Sequence, residues 1–149
     1  MSAVVTNAQE SVLIRVPGEV HFLSLIRSVI TMLARTAGFP DMDVNKIELA
    51  VDEACSNVME HAYGQAGPKL AIELTVRWDP GRFIVDIVDQ GVPFDFSSHV
   101  SPKFPDHWLE GESRGAGIFL IRSCVDETHY DIQPGQANRL RLVKRIQPP

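Results

Sequence analysis

The stretch ELAVDEACSNVMEHAYG, residues 48–64, carries two messages at once. With the preceding Ile47, apolar Val51, Ala54, Val58 and Ala62 recur at helical spacing and predict one buried stripe. Asp41 or Asp43 is placed to cap this helix at its start, and Gly64 to end it. Glu53 and Asn57 are four apart, so they project from one face about a turn apart, and Glu60 and His61 continue in that general direction. Asn is a modest helix former, and a helix that needed only a core stripe has no reason to hold it centrally. Two readings stand side by side. One is a solvated face. The other is a carboxylate beside a carboxamide oxygen, suited to a general base next to a metal ligand.

The flanking sequence supplies the rest of a layer. Ser11–Val16 (SVLIRV) alternates and reads as a strand ended by Pro17-Gly18. Glu19–Ala37 places Val20, Leu23, Ile26, Ile30 and Leu33 at helical spacing and is stopped by Gly38 and Pro40. Beyond a loop at Gln65–Pro68, Leu70–Trp78 and Arg82–Val88 read as strands joined by the turn Asp79-Pro80-Gly81. Residues 89–114 have no clean period and hold Pro93, Pro102 and Pro105. A loop of that length in a compact domain is more often functional than accidental. Ala116–Val125 reads as a buried third helix preceded by glycines. Glu127–Ile132 and Arg139–Ile146 form a last hairpin around Pro134-Gly135. This order predicts an α+β two-layer sandwich, with helices on one face of a mixed or antiparallel sheet. Strands and helices do not alternate, which excludes a Rossmann fold. Residues 1–10 read as a loose tail and 11–149 as a single domain.

Composition narrows the function. The chain has 149 residues, enough for one core without staples, with 44% hydrophobic and 22% charged residues, as in ordinary globular proteins. Lys and Arg total 14 against 19 Asp and Glu, a net charge of −5, which argues against a general nucleic-acid partner. Cys55 and Cys124 lack C-x-x-C spacing and read as buried small hydrophobes. No two histidines have H-E-x-x-H spacing. No apolar run reaches the ~18 residues of a membrane span, and the N-terminus has no apolar signal core, so no membrane partner and a cytoplasmic location are expected.

Two further elements stand out. Asp89-Gln90-Gly91 follows the apolar strand FIVDIV. An acid and a glycine there make either a turn, or an acceptor for a ligand's exocyclic amine with room for the ligand against the backbone. Arg114-Gly115-Ala116-Gly117 leads into the third helix. Glycines there mean a tight turn, or open N–H groups favoured by the helix dipole for an anion. A Walker loop is absent.

Taken in order, E-x-x-x-N on a helix, a strand running into D-x-G, a long loop, and G-x-G opening a helix resemble the GHKL-type ATPases. The resemblance is closest to the anti-sigma-factor serine/threonine kinases. It rests on ELAVDEACSNVMEHAYG, IVDIVDQGVPFD and RGAGIFLIRSCVDE, with the first helix and NRLRLVKR, and covers about residues 12–145. It implies a Bergerat-type ATP-binding fold with ATP and Mg²⁺ as cofactors. Asn57 would hold Mg²⁺ through its amide oxygen and Glu53 would be general base toward a substrate hydroxyl. Asp89 would read the adenine amine, with Gly91 against the base. Gly115, Ala116 and Gly117 would line the phosphate end, and Val92–Arg114 would form the lid. Arg114 is the candidate for an arginine that stabilises phosphate charge.

The implied partners are a sigma factor, an anti-sigma-factor antagonist as phosphoacceptor, and a second copy in a homodimer. The alternative is an ATP-binding module that holds a transcription or stress-signalling partner without phosphoryl transfer. The sequence departs from the family at its final glycine-threonine box, where Asn138 occupies the nearest position. His61 reads as a packing or surface residue, and Trp108 as a packing anchor or a partner contact. RLRLVKR reads as a half-buried strand with a solvated basic face, or one that attracts an acidic protein.

Overall fold

The structure is a computed structural model and describes residues 10–63, 70–93, 113–133 and 135–146. Strands β1 (Glu10–Pro17), β2 (Ala71–Trp78), β3 (Arg82–Asp89), β4 (Glu127–Gln133) and β5 (Ala137–Arg145) form one sheet in the order β1-β2-β3-β5-β4. Every neighbouring pair is antiparallel, which resolves the mixed-or-antiparallel expectation. Helices α1 (Leu23–Thr36), α2 (Asp41–Asn57) and α3 (Ser113–Cys124) make the second layer. This is the α+β architecture expected from the element order.

The core lies between the layers. Ile26, Ile30 and Ala34 of α1, Val44, Ile47, Val51 and Ala54 of α2, and Ile118 and Ile121 of α3 face inward. They meet Ile72, Leu74 and Val76 of β2, Phe83, Val85 and Ile87 of β3, and Leu140 and Leu142 of β5. The strand residues sit two apart and the helix residues three or four apart, as pleat and helix periods require. Cys55 and Cys124 are both buried free thiols, as expected. α2 packs against α1 on one side and α3 on the other, so it is the middle of the helical layer.

The structure corrects several local expectations. Pro40, extended and without a side-chain cap bond, is the N-cap of α2, and Asp41 and Asp43 lie inside its first turn. They favour the helix dipole there without closing the ladder. α2 does not run regularly to Gly64. It is α-helical to Asn57, and Val58–Ala62 then widens into a π turn. α1 is entered through a 3₁₀ turn at Val20–Phe22. α3 starts at Ser113, so Gly115 and Gly117 lie within the helix and not ahead of it. The tail up to residue 9, lid residues 94–112 with Trp108, and Gly64 lie outside the described residues.

The basic side chains of β5 are not free on the outer face of the sheet. Arg141 grips Asp86 of β3 with two hydrogen bonds, Nε to Oδ1 at 2.7 Å and Nη2 to Oδ2 at 2.9 Å, and Arg77 of β2 approaches the same Oδ2 at 3.4 Å. Arg139 pairs with Asp131, and Arg15 with Glu73, on that same face. The register brings these opposites together, because Thr75, Asp86 and Arg141 lie in one cross-strand row. Asp86 is buried, so truncating it leaves two half-buried guanidinium groups without their acceptor. Asp86→Ala is expected to lower the unfolding free energy by about 1.5–3 kcal/mol. A urea titration checks this, and an unchanged midpoint contradicts it.

Candidate functional site

Glu53 and Asn57 sit on the flank of α2 that meets α3. The stripe centred on Ile47, Val51 and Ala54 is spent on the sheet, which turns this polar pair toward the neighbouring helix. The contact residue on α3 is Gly117. Glu53 Oε1 occupies the space that a side chain at 117 would need, and Asn57 Nδ2 lies 3.4 Å from where a Cβ at 117 would stand. A glycine here lets the two helices close over a carboxylate and a carboxamide.

Neither side chain finds a hydrogen-bond partner among the described residues. Asn57 is 6% exposed, and its amide makes no hydrogen bond among the described residues. Glu53 likewise has no partner for its carboxylate there; only its backbone carbonyl is used, by Ser56. Buried amides are ordinarily paired, so Asn57 beside the half-buried Glu53 carboxylate leaves hydrogen-bonding capacity for a ligand or ordered solvent. Burial pushes the Glu53 carboxyl above its ordinary range, and the neighbouring Asp52 and Glu60 push it further.

The second half of the site lies at the end of β3. Asp89 is 4% exposed, and both hydrogen bonds it accepts go to one oxygen: Oδ1 takes the Gly91 N–H at 2.9 Å and the Asn138 amide at 3.0 Å. Oδ2 has no partner among the described residues. One oxygen closes the turn to Gly91, which is the turn reading of Asp89. Burial pushes the Asp89 carboxyl up, while the Asn138 amide and the Gly91 N–H hold it down. Asn138 also donates to the Gly91 carbonyl at 2.9 Å, so one side chain fixes both the acid and the glycine. The Asp89 carboxylate is close enough to α2 to help push up the Cys55 thiol, after burial and Asp52.

The structure thus brings together Glu53, Asn57 and Gly117 in one cluster and Asp89, Gly91 and Asn138 in another. Ala116 is half-buried in the first turn of α3. Arg114 and Gly115 belong to that turn by backbone, and their side-chain positions lie outside what is described. Gly117 is the fifth residue of α3, so its N–H falls within the helix's own ladder. Its position supports clearance rather than an open donor. Glu60 is exposed and touches the cluster only electrostatically, and His61 is half-buried at the π turn.

Two residues of the site were not assigned roles by the sequence. Asn138 had a signal, because it shares inward parity with Leu140 and Leu142 and faces Asp89 across the register. Tyr63 had none beyond being an aromatic residue after a helix. Its hydroxyl donates to the Ala71 carbonyl at 2.6 Å and accepts the Gln90 N–H at 3.2 Å.

The sequence profile of the histidine kinase-like ATPase domain matches residues 16–144, and the chain belongs to that family. Among curated proteins it is similar to a serine-protein kinase RsbW of Bacillus cereus, 30% identical over 145 residues, which cover 93% of this chain and 86% of the relative. It is also similar to the serine-protein kinase RsbW of Bacillus licheniformis, 28% identical over 135 residues, covering 87% of this chain and 83% of the relative. Among the described residues no helix is long and apolar enough to cross a membrane.

An ATPase domain implies a nucleotide, and the unpaired groups suit one. Asp89 Oδ2 is an acceptor of the kind an exocyclic amine needs, and Asn57 offers an amide oxygen to a hard cation. Among the described residues no cluster of three His, Cys, Asp or Glu could hold a metal by itself.

The clearance at Gly117 separates stability from site geometry. In Gly117→Ala the added methyl displaces the flexible end of Glu53, while the helix gains the propensity difference of about 1 kcal/mol. The variant is expected to unfold within about 1 kcal/mol of wild type. The Glu53 carboxyl, moved outward, is expected to titrate closer to an ordinary glutamate. Carboxyl-carbon NMR titration reads this, and an unmoved Glu53 resonance contradicts the packing described.

Proposed function

We propose that the chain is a cytoplasmic protein serine/threonine kinase that uses ATP and Mg²⁺. It phosphorylates an anti-sigma-factor antagonist and sequesters a sigma factor, acting as a homodimer. The observation that carries the kinase part is the pair of half-buried Glu53 and buried Asn57, one turn apart at the α2–α3 contact and without a side-chain hydrogen bond among the described residues. The relatives' name, serine-protein kinase RsbW, supports the substrate class. In this reading residues 11–149 act as one domain and 92–114 as its lid.

Each side chain has one task. Asn57 holds Mg²⁺ through its amide oxygen. Asp89 accepts from the adenine amine through Oδ2, and Gly91 leaves room for the base. The first turn of α3, with Gly115 and Ala116, faces the phosphates, Gly117 leaves room beside Glu53, and Arg114 offsets the phosphate charge. Bound ATP supplies the phosphoryl group, and its Mg²⁺ the charge neutralisation. Glu53 accepts the proton of the substrate's serine or threonine hydroxyl as that oxygen takes the phosphoryl group and ADP leaves. A carboxylate with a raised pKa is a stronger base than an exposed one.

The pair separates chemistry from binding. Glu53→Ala is expected to slow phosphoryl transfer by about 10²–10⁴ while ATP affinity stays near wild type. Asn57→Ala is expected to weaken Mg²⁺-ATP binding itself. Wild-type transfer is expected to fall as pH drops through the raised Glu53 pKa, because only the ionised carboxylate accepts the proton. Transfer to the co-purified antagonist, followed with labelled ATP beside a nucleotide-binding titration, checks all three. Unimpaired Glu53→Ala removes Glu53 from the chemistry. Tight ATP binding with no wild-type transfer to a verified antagonist favours the binding module.

A further inference from the structure

Tyr63 lies outside both clusters, yet it touches the segments that place them. It follows the π turn Val58–Ala62 that ends the helix bearing Glu53 and Asn57, and its own N–H donates to the Val58 carbonyl at 3.0 Å. Its hydroxyl joins two segments. It donates to Ala71 at the start of β2 and accepts from Gln90, the residue between Asp89 and Gly91. Its ring lies against Gly18, where any Cβ would run into ring carbons Cε2 and Cδ2, and Gly18 N–H in turn reaches the Leu70 carbonyl at 2.9 Å. π turns are rare and frequently sit at functional sites. Here the widened turn carries the chain on to a side chain that reaches the strand end.

We infer that Tyr63 is a positioning residue for base recognition: its hydroxyl ties the end of the α2 segment to the Gln90 backbone and so fixes where Asp89 presents its unpaired oxygen. The inference rests on the nucleotide reading above and adds a residue to it. Gln90 N–H is the only backbone donor between Asp89 and Gly91, and Tyr63 is its acceptor. Without that bond the turn after β3 is held by the Asn138 amide and the Asp89–Gly91 bond alone. Burial and the nearby Asp89 both push the phenol up, against the Gln90 N–H that holds it down. The hydroxyl therefore stays a donor to Ala71 across the physiological range.

Tyr63→Phe keeps the ring against Gly18 and removes only the hydroxyl, so the test is a specificity ratio. Wild type and variant are titrated with Mg²⁺-ATP and with Mg²⁺-inosine triphosphate, which carries an oxo group where adenine has its amine. Wild type is expected to prefer ATP, because Asp89 Oδ2 attracts an amine and repels an oxo group. In Tyr63→Phe ATP affinity is expected to fall about threefold to tenfold, the scale of one hydrogen bond, with inosine triphosphate nearly unchanged. In the Asp89→Asn background the same change is expected to have little further effect, since the group it positions is gone. Equal weakening of both nucleotides, or full additivity with Asp89→Asn, makes Tyr63 a general structural residue and overturns the inference while the nucleotide reading stands. Wild type that binds neither nucleotide overturns both. If Tyr63→Phe does not fold, amide exchange of Gln90 in nucleotide-free wild type decides. Slow exchange supports the bond, and exchange at the rate of a free loop refutes it.

Discussion

Everything in the proposed site depends on how closely α3 approaches α2. A carboxylate and a carboxamide stand at the contact between two packed helices, where side chains are normally apolar. They remain there because Gly117 has no Cβ to displace them. The sheet side of α2 is already filled by Ile47, Val51 and Ala54, so the polar pair cannot turn under the helix. It cannot turn fully outward either, because α3 covers it. The packing that stabilises the domain thereby also holds Glu53 and Asn57 in a half-dry place, one with its pKa raised and both unpaired.

The end of β3 applies the same logic by different means. Burying a carboxylate is costly unless it is hydrogen-bonded. Asp89 receives two donors, yet both fall on one oxygen. The arrangement offsets part of the desolvation and leaves Oδ2 without a partner among the described residues. Asn138 supplies the second donor from the neighbouring strand, at the position directly opposite in register. The antiparallel pairing of β3 and β5 makes this possible, because β3 ends where β5 begins and Asp89 meets Asn138 at that end of the two inner strands.

Much of this was legible in the sequence, for identifiable reasons. Alternation predicted the strands, and Asp79-Pro80-Gly81 predicted their turn; Asp79 accepts the Gly81 and Arg82 N–H groups at 2.8 and 2.9 Å, as an Asx turn requires. The four-residue spacing of Glu53 and Asn57 placed them on one face, since helix geometry is nearly invariant. What stayed hidden depended on tertiary contacts. Periodicity does not register a π turn of one widened loop, so α2 was read straight through to Gly64. The start of α3 was placed at Ala116 because glycines are poor helix formers, whereas here the close contact with Glu53 outweighs propensity. RLRLVKR announced its apolar face, but its partners on the outer face lie on other strands, and Asp86, which Arg141 grips, is 55 residues away.

The central claim is that Asp89 Oδ2 is left unpaired in order to read an amine. The direct measurement is calorimetric titration of Asp89→Asn and wild type with ATP at saturating Mg²⁺, after thermal unfolding has shown that both are folded. The substitution keeps size and shape but exchanges an acceptor for a donor. An affinity lower by about tenfold or more is the predicted result. Equal affinities would make Asp89 a turn residue only, and would contradict the account.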